Sequence, residues 1–135
     1  MARVLVIEDA EDVRQLLVDV LASMDHTAIE ATDGLSGVQA ALSAPPDLII
    51  LDLMMPAASG VSALQFIRGT REVADVPVLV LSAHSDVRRL AMGGGADAWL
   101  SKPVEIKKLR EQIGKLLSHP RAPRVTPPNA TPLNL

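Results

Sequence analysis

An open, doubly wound α/β fold, five βα units on one parallel sheet, is predicted here by three observations. Short apolar runs rich in β-branched residues alternate, five times in about 118 residues, with stretches whose apolar side chains recur at helical spacing. The strongest runs are apolar on both faces, as in a parallel sheet covered by helices on either side. Five units are too few to close a barrel of eight.

The elements follow in order. Val4 to Ile7 is apolar throughout, and Val13, Leu16, Leu17, Val20 and Leu21 then mark a helix, with Asp12 as its expected N-cap. "TAIEA" at 27–31 is a weaker strand. The turn pair Asp33-Gly34 leads into a helix carrying Leu35, Val38, Ala41 and Leu42, which stops before Pro45-Pro46. Leu48 to Leu51 is the most apolar strand, and "AASG" beyond Pro56 opens a helix with Val61, Leu64, Phe66 and Ile67. Val76 to Leu81 is the expected fourth strand, with Pro77 near its start, where a missing N–H is tolerated.

A short helix from about Ser85 meets three glycines at 93–95, and helical glycine costs roughly 1 kcal/mol relative to Ala, so this helix is expected to be short and mobile. A strand around Ala98 to Leu100, the pair Lys102-Pro103, and a helix with Val104, Ile106, Leu109, Ile113, Leu116 and Leu117 complete the folded part. Residues 1–118 are expected to form one domain. The remainder, 119–135, has five prolines in 17 residues and reads as an extended or disordered tail or linker.

Composition narrows the function. The chain of 135 residues carries a net charge of −3 with no basic cluster, which argues against nucleic acid as a direct partner. Without cysteine there is neither a disulfide framework nor a thiolate metal site. The first apolar run spans only four residues, too short for a signal peptide or a membrane span, so a cytoplasmic protein is expected.

Chemistry gathers at one edge. In "DLIILDLMMP" the carboxylate of Asp52 follows four large apolar residues, and burying an unpartnered charge there would cost several kcal/mol. Ligands of doubly wound sheets bind outside the carboxyl ends of the strands. The residues just past the strong strands are Glu8 and Asp9, Asp52, Ser82 and Lys102. Three close carboxylates repel unless a cation is present, and Mg²⁺ suits oxygen ligands while keeping open positions. Glu8, Asp9 and Asp52, with one backbone carbonyl from the loop after the third strand, would form such an incomplete shell. A phosphoryl group is the natural guest: Lys102 supplies a point charge, Ser82 a hydroxyl, and Asp52 the nucleophile of an aspartyl phosphate. Each residue alone has an ordinary reading as helix entry, turn or surface lysine; the conjunction at successive strand ends carries the argument.

The motifs "VLVIEDAEDVR", "DLIILDLMMPAASG", "VLVLSAHS" and "GADAWLSKP", from Arg3 to about Leu117, resemble the receiver domain of two-component response regulators. The resemblance implies a flavodoxin-like three-layer (βα)5 sandwich of strand order 2-1-3-4-5. It implies phosphorylation of Asp52 by a histidine kinase or a histidine phosphotransfer protein, with Mg²⁺, or Mn²⁺ in its place, held by Glu8, Asp9, Asp52 and the backbone carbonyl of Met54. Ser82 matches the switch hydroxyl, Lys102 the phosphate-pairing lysine, and Trp99 the switch aromatic. Met54 and His84, two residues beyond Asp52 and Ser82, flank the path of an attacking water and are candidate modulators of hydrolysis.

Such a chain is a phosphoacceptor module with slow self-catalysed phosphorylation and dephosphorylation, acting on an output domain or a downstream protein. A shortened fourth helix shifts the expected homodimer contact to apolar exteriors of the first and fifth helices. Two rivals stand beside this reading: a Mg²⁺-dependent aspartyl-phosphate hydrolase, which usually carries a second Asp where Met54 stands, and a degenerate receiver used only for binding.

Overall fold

A computed structural model describes residues 1–55, 60–83 and 85–118. Pro56, His84 and the 119–135 segment lie outside the described residues, so the expectations placed on them concern sequence only.

The elements alternate strictly: β1 (Arg3–Ile7), α1 (Glu11–Ser23), β2 (Thr27–Ala31), α2 (Gly34–Ser43), β3 (Leu48–Asp52), α3 (Gly60–Gly69), β4 (Val78–Ser82), α4 (Val87–Gly93), β5 (Ala98–Ser101) and α5 (Ile106–Ser118). The five strands pair in parallel in the order β2-β1-β3-β4-β5, as expected. Every residue of β3 and β4 is buried, which is why both read as unbroken apolar runs rather than alternating ones.

Alternate residues of the strands feed two cores. Leu5, Ile7, Ile49, Leu51 and Val80 pack under α2, α3 and α4, through Val38, Leu64, Ile67 and Ala91 among others. Val4, Val6, Ile50, Leu79 and Leu81 pack under α1 and α5, through Leu17, Leu21, Leu109 and Ile113. This is the three-layer sandwich. Because strand side chains alternate between faces, each strand serves both layers at once.

Local chemistry corrects several expected boundaries. Ala10, not Asp12, precedes α1, and no side chain caps it; Asp12 lies in the first turn, where its Oδ1 accepts from the N–H of Val13 at 2.9 Å. The turn is instead organised by Glu8, whose Oε2 accepts the N–H of Ala10 at 3.1 Å. Asp33 does cap α2, accepting from the N–H of Ser36 at 2.7 Å. The fourth strand begins at Val78 rather than Val76, since the carbonyl of Val76 is taken by Arg68 Nη1 at 2.7 Å.

The three glycines end α4 rather than interrupt it. Gly93 is its last residue, Gly94 its cap, and Gly95 has φ +90°, a conformation L side chains rarely adopt. The N–H of Gly95 then meets the carbonyl of Met92 at 3.2 Å, and that of Ala96 meets the carbonyl of Ala91 at 2.9 Å, which is a Schellman closure. The helix is short, as expected, at seven residues.

Behind α4, the guanidinium of Arg68 ties α3 to the two connections that lead into β4 and β5. Its Nε donates to the carbonyl of Gly95 at 2.7 Å, Nη1 to those of Ala74 and Val76, and Nη2 to Asp97 Oδ2 at 2.8 Å. Asp97 Oδ2 also accepts the N–H of Val78 at 2.8 Å, so the entries to β4 and β5 are fixed together.

Among the described residues, no helix is long and apolar enough to cross a membrane. Exposed large apolar side chains include Leu35, Leu42 and Phe66 across α2 and α3; α1 shows none and α5 only Ile106. The expectation of apolar exteriors on α1 and α5 is therefore not met. Their apolar residues Val13, Leu16 and Leu117 pack partly buried against the core instead.

Candidate functional site

The site is assembled at the carboxyl edge of the sheet. β1 delivers Glu8, whose N–H extends the ladder to the carbonyl of Ala31 at 3.0 Å, and β3 ends on Asp52. Both carboxylates are buried, at 1% and 3% exposure, whereas Asp9 faces solvent. Carboxylate oxygens of Glu8, Asp9 and Asp52 all lie within 4.8 Å of one another. The sequence predicted this trio, and the fold brings it together.

Lys102 enters from beyond β5. Its Nζ lies 2.9 Å from Glu8 Oε1 and 3.2 Å from Asp52 Oδ2. The other oxygen of Asp52, Oδ1, accepts the N–H of Met54 at 3.0 Å. Met54 itself is half exposed. The backbone of Lys102 is anchored by its N–H to the carbonyl of Ser82 at 2.9 Å, and the Lys102-Pro103 peptide bond is cis. Ser82 is fully buried at the end of β4, one residue beyond the register partner of Asp52, Leu81. Trp99, opposite Val80 on β5, is half-buried against the core beneath α4.

The electrostatics follow from burial and crowding. Burial pushes the Glu8 carboxyl above the usual carboxylate range; Lys102 and the N–H of Ala10 pull it back, and the charge of Asp52 pushes it up further. Burial works against the Lys102 ammonium as well, but the two carboxylates outweigh it and raise its pKa. Three carboxylates against one ammonium leave the cluster negative.

The donor set fits a hard divalent cation. It offers carboxylate oxygens alone, the ligands Mg²⁺ prefers. Glu8 Oε1 is buried, and its charge is met by the Lys102 ammonium at 2.9 Å, so this oxygen is held by a cation and not by water.

Two contributors were not apparent from sequence. Arg14 reaches back from α1 to the carbonyls of Glu8 and Asp9, at 3.0 and 3.4 Å. It is the only basic residue of α1, which is the one signal that could have singled it out. Gly60 packs against the backbone after Asp52, its N–H donating to the carbonyl of Leu53 at 3.1 Å. A Cβ built there would fall on the carbonyl oxygen of Asp52 and 2.5 Å from Leu53 Cα.

Comparison with known proteins agrees with this geometry. The family model for the response regulator receiver domain matches residues 4–114. Sensor histidine kinase TmoS of Ectopseudomonas mendocina is 38% identical over 118 residues, covering 86% of this chain and 12% of that protein. The KDP operon transcriptional regulatory protein KdpE of Escherichia coli is 38% identical over 115 residues, covering 84% of this chain and 50% of its own length. The chain thus spans half or less of these curated relatives. Among solved structures, chemotaxis protein CheY4 of Vibrio cholerae superposes with a TM-score of 0.80 at 27% identity, covering 87% of this chain and 99% of that one. With its parallel 2-1-3-4-5 sheet and its acidic edge, the chain belongs to the response regulator receiver domain family, whose members are signalling phosphoacceptors rather than enzymes in the ordinary sense.

Proposed function

We propose that this chain accepts a phosphoryl group on Asp52 from a histidine kinase or a histidine phosphotransfer protein, and that the modified edge alters binding to an output domain or downstream protein. The observation that carries this is the convergence of two further carboxylates, Glu8 and Asp9, and of Lys102 on buried Asp52 at the sheet edge. A carboxylate oxygen of Asp52 attacks phosphorus; the P–O bond forms as the P–N bond to the donor histidine breaks, and the imidazole nitrogen leaves with the electron pair.

Glu8, Asp9, Asp52 and the Met54 carbonyl would hold Mg²⁺, or Mn²⁺ in its place, which when bound offsets phosphoryl charge. Lys102, already within 3.2 Å of Asp52, pairs with another phosphoryl oxygen, and the Ser82 hydroxyl with a third. Movement of Ser82 then repacks Trp99, a local charge change biasing a bistable packing element. Met54 and His84 tune the access of water.

We assign residues 1–118 to the receiver, 119–135 to a tail or linker, and the exchange to the cytoplasm. A homodimer through α1 and α5 would have to rest on polar groups, given the faces described above. The hydrolase reading loses ground because Met54 stands where a second Asp would be needed. A binding-only receiver would not keep acid, hydroxyl and lysine positions all filled.

Incubation with Mg²⁺ and acetyl phosphate, followed by intact mass, tests the proposal. One added phosphoryl mass on wild type and none on Asp52→Ala is expected. No added mass on wild type, or equal labelling of the variant, overturns it.

A further inference from the structure

We propose that Arg14 is a positioning residue for the acidic pair, setting the cation affinity of the site by holding the β1–α1 turn from behind. The inference rests on the Mg²⁺-dependent reading above and concerns a side chain to which that reading gives no role.

The guanidinium of Arg14 makes three directed contacts. Nη1 donates to the carbonyl of Glu8 at 3.0 Å and approaches that of Asp9 at 3.4 Å; Nε donates to Glu30 Oε1 at 3.0 Å. Glu30 stands on β2, in register with Val6 of β1. The turn is thereby held twice: the N–H of Glu8 is fixed by Ala31 of β2, and its carbonyl by Arg14. The Arg14 side chain is only 16% exposed, against 48% for Glu30, so the fork is largely shielded from solvent while its anchor is open. Arg14 touches the backbone of both acids and contacts neither carboxylate.

The consequence lies in what Mg²⁺ requires. It demands near-octahedral geometry at short distances, so a ligand pair on a turn binds it well only if the turn is already in place. Asp9 is exposed, and its backbone is steadied by Arg14 rather than by burial. Groups that orient metal ligands from the outer shell typically contribute 10- to 100-fold in affinity.

Two effects of Arg14 oppose each other. Its positive charge, near the acids, repels a cation, although Glu30 offsets part of it. Its hydrogen bonds preorganise the acids. Removing the side chain therefore tightens Mg²⁺ binding if charge dominates and weakens it if positioning dominates. Lysine keeps the charge but lacks the planar fork, so it isolates the geometric contribution.

The experiment titrates Mg²⁺ into the full chain, read by the fluorescence of Trp99, the sole tryptophan, and by calorimetry. Wild type is compared with Arg14→Lys, Arg14→Gln and Glu30→Gln, the last changing an exposed strand residue that leaves the fork in place but loosens its anchor. Both Arg14 variants should raise the Mg²⁺ Kd by about 10-fold or more, and Glu30→Gln by less. Labelling of Asp52 should return to near the wild-type rate at saturating Mg²⁺, a recovery that general loss of structure would not give. Arg14→Gln binding Mg²⁺ as tightly as wild type, or Arg14→Lys indistinguishable from it, overturns the proposal. A wild-type chain that neither binds Mg²⁺ nor labels would instead overturn the underlying reading, and this inference with it.

Discussion

The ammonium of Lys102 lies 3.2 Å from Asp52 Oδ2 although the residues are 50 positions apart and β4 separates their strands. That contact offsets one of two adjacent buried carboxylates in the metal-free protein. Lys102→Met should therefore destabilise the metal-free protein, with Mg²⁺ restoring part of the loss in a thermal melt. Labelling by acetyl phosphate should also slow by about 100-fold, the scale seen when one preorganised donor to a reacting oxygen is removed. A time course by intact mass checks this.

Gly60 is expected to tolerate no side chain. The added methyl of Gly60→Ala meets the backbone of the 52–53 peptide, the Asp52 carbonyl and Leu53 Cα, and backbone cannot swing aside as a side chain can. Overpacking of this kind costs about 1–3 kcal/mol. Urea unfolding should show that loss, and labelling of Asp52 in the folded variant should fall because the strand end carrying it has shifted. Gly69→Ala, at a position with open space, should leave labelling unchanged.

The cap of α2 should be visible as a pH effect. The N–H of Ser36 holds the Asp33 carboxyl below its ordinary 3.8. A depressed carboxylate contributes stability that is present above the unfolded value and lost as pH falls through the folded one. Melting temperature should thus drop more steeply below about pH 4 in wild type than in Asp33→Asn, which retains an acceptor but does not titrate. Asp33→Ala should be less stable than either at neutral pH.

Much of this was legible from the chain. The β1, β3 and β4 runs announce a two-sided sheet, and the acids, hydroxyl and lysine fall at strand ends or within two residues past them, where topology alone gathers them. The strand order came from family resemblance, since periodicity does not reveal which strands are neighbours. What stayed hidden depends on contacts with backbone atoms, which carry no residue identity. Arg14 binds carbonyls, which every residue has, and Gly60 is constrained by atoms of Asp52 and Leu53 on another element. Boundaries slipped for the same reason: Val76 reads as strand, yet a side chain from α3 claims its carbonyl. The glycines at 93–95 looked like a weakness within α4 because composition cannot say whether a glycine sits inside a helix or closes it.

Arg68 adds an asymmetry to the molecule. Its bonds lie where β4 and β5 begin, a strand's length from Asp52, roughly 16 Å for five residues. The domain is thus riveted at its heel, and the chemistry proposed for it lies at its toe. The proposed exchange of metal and phosphate at one end would not draw on the fastening at the other.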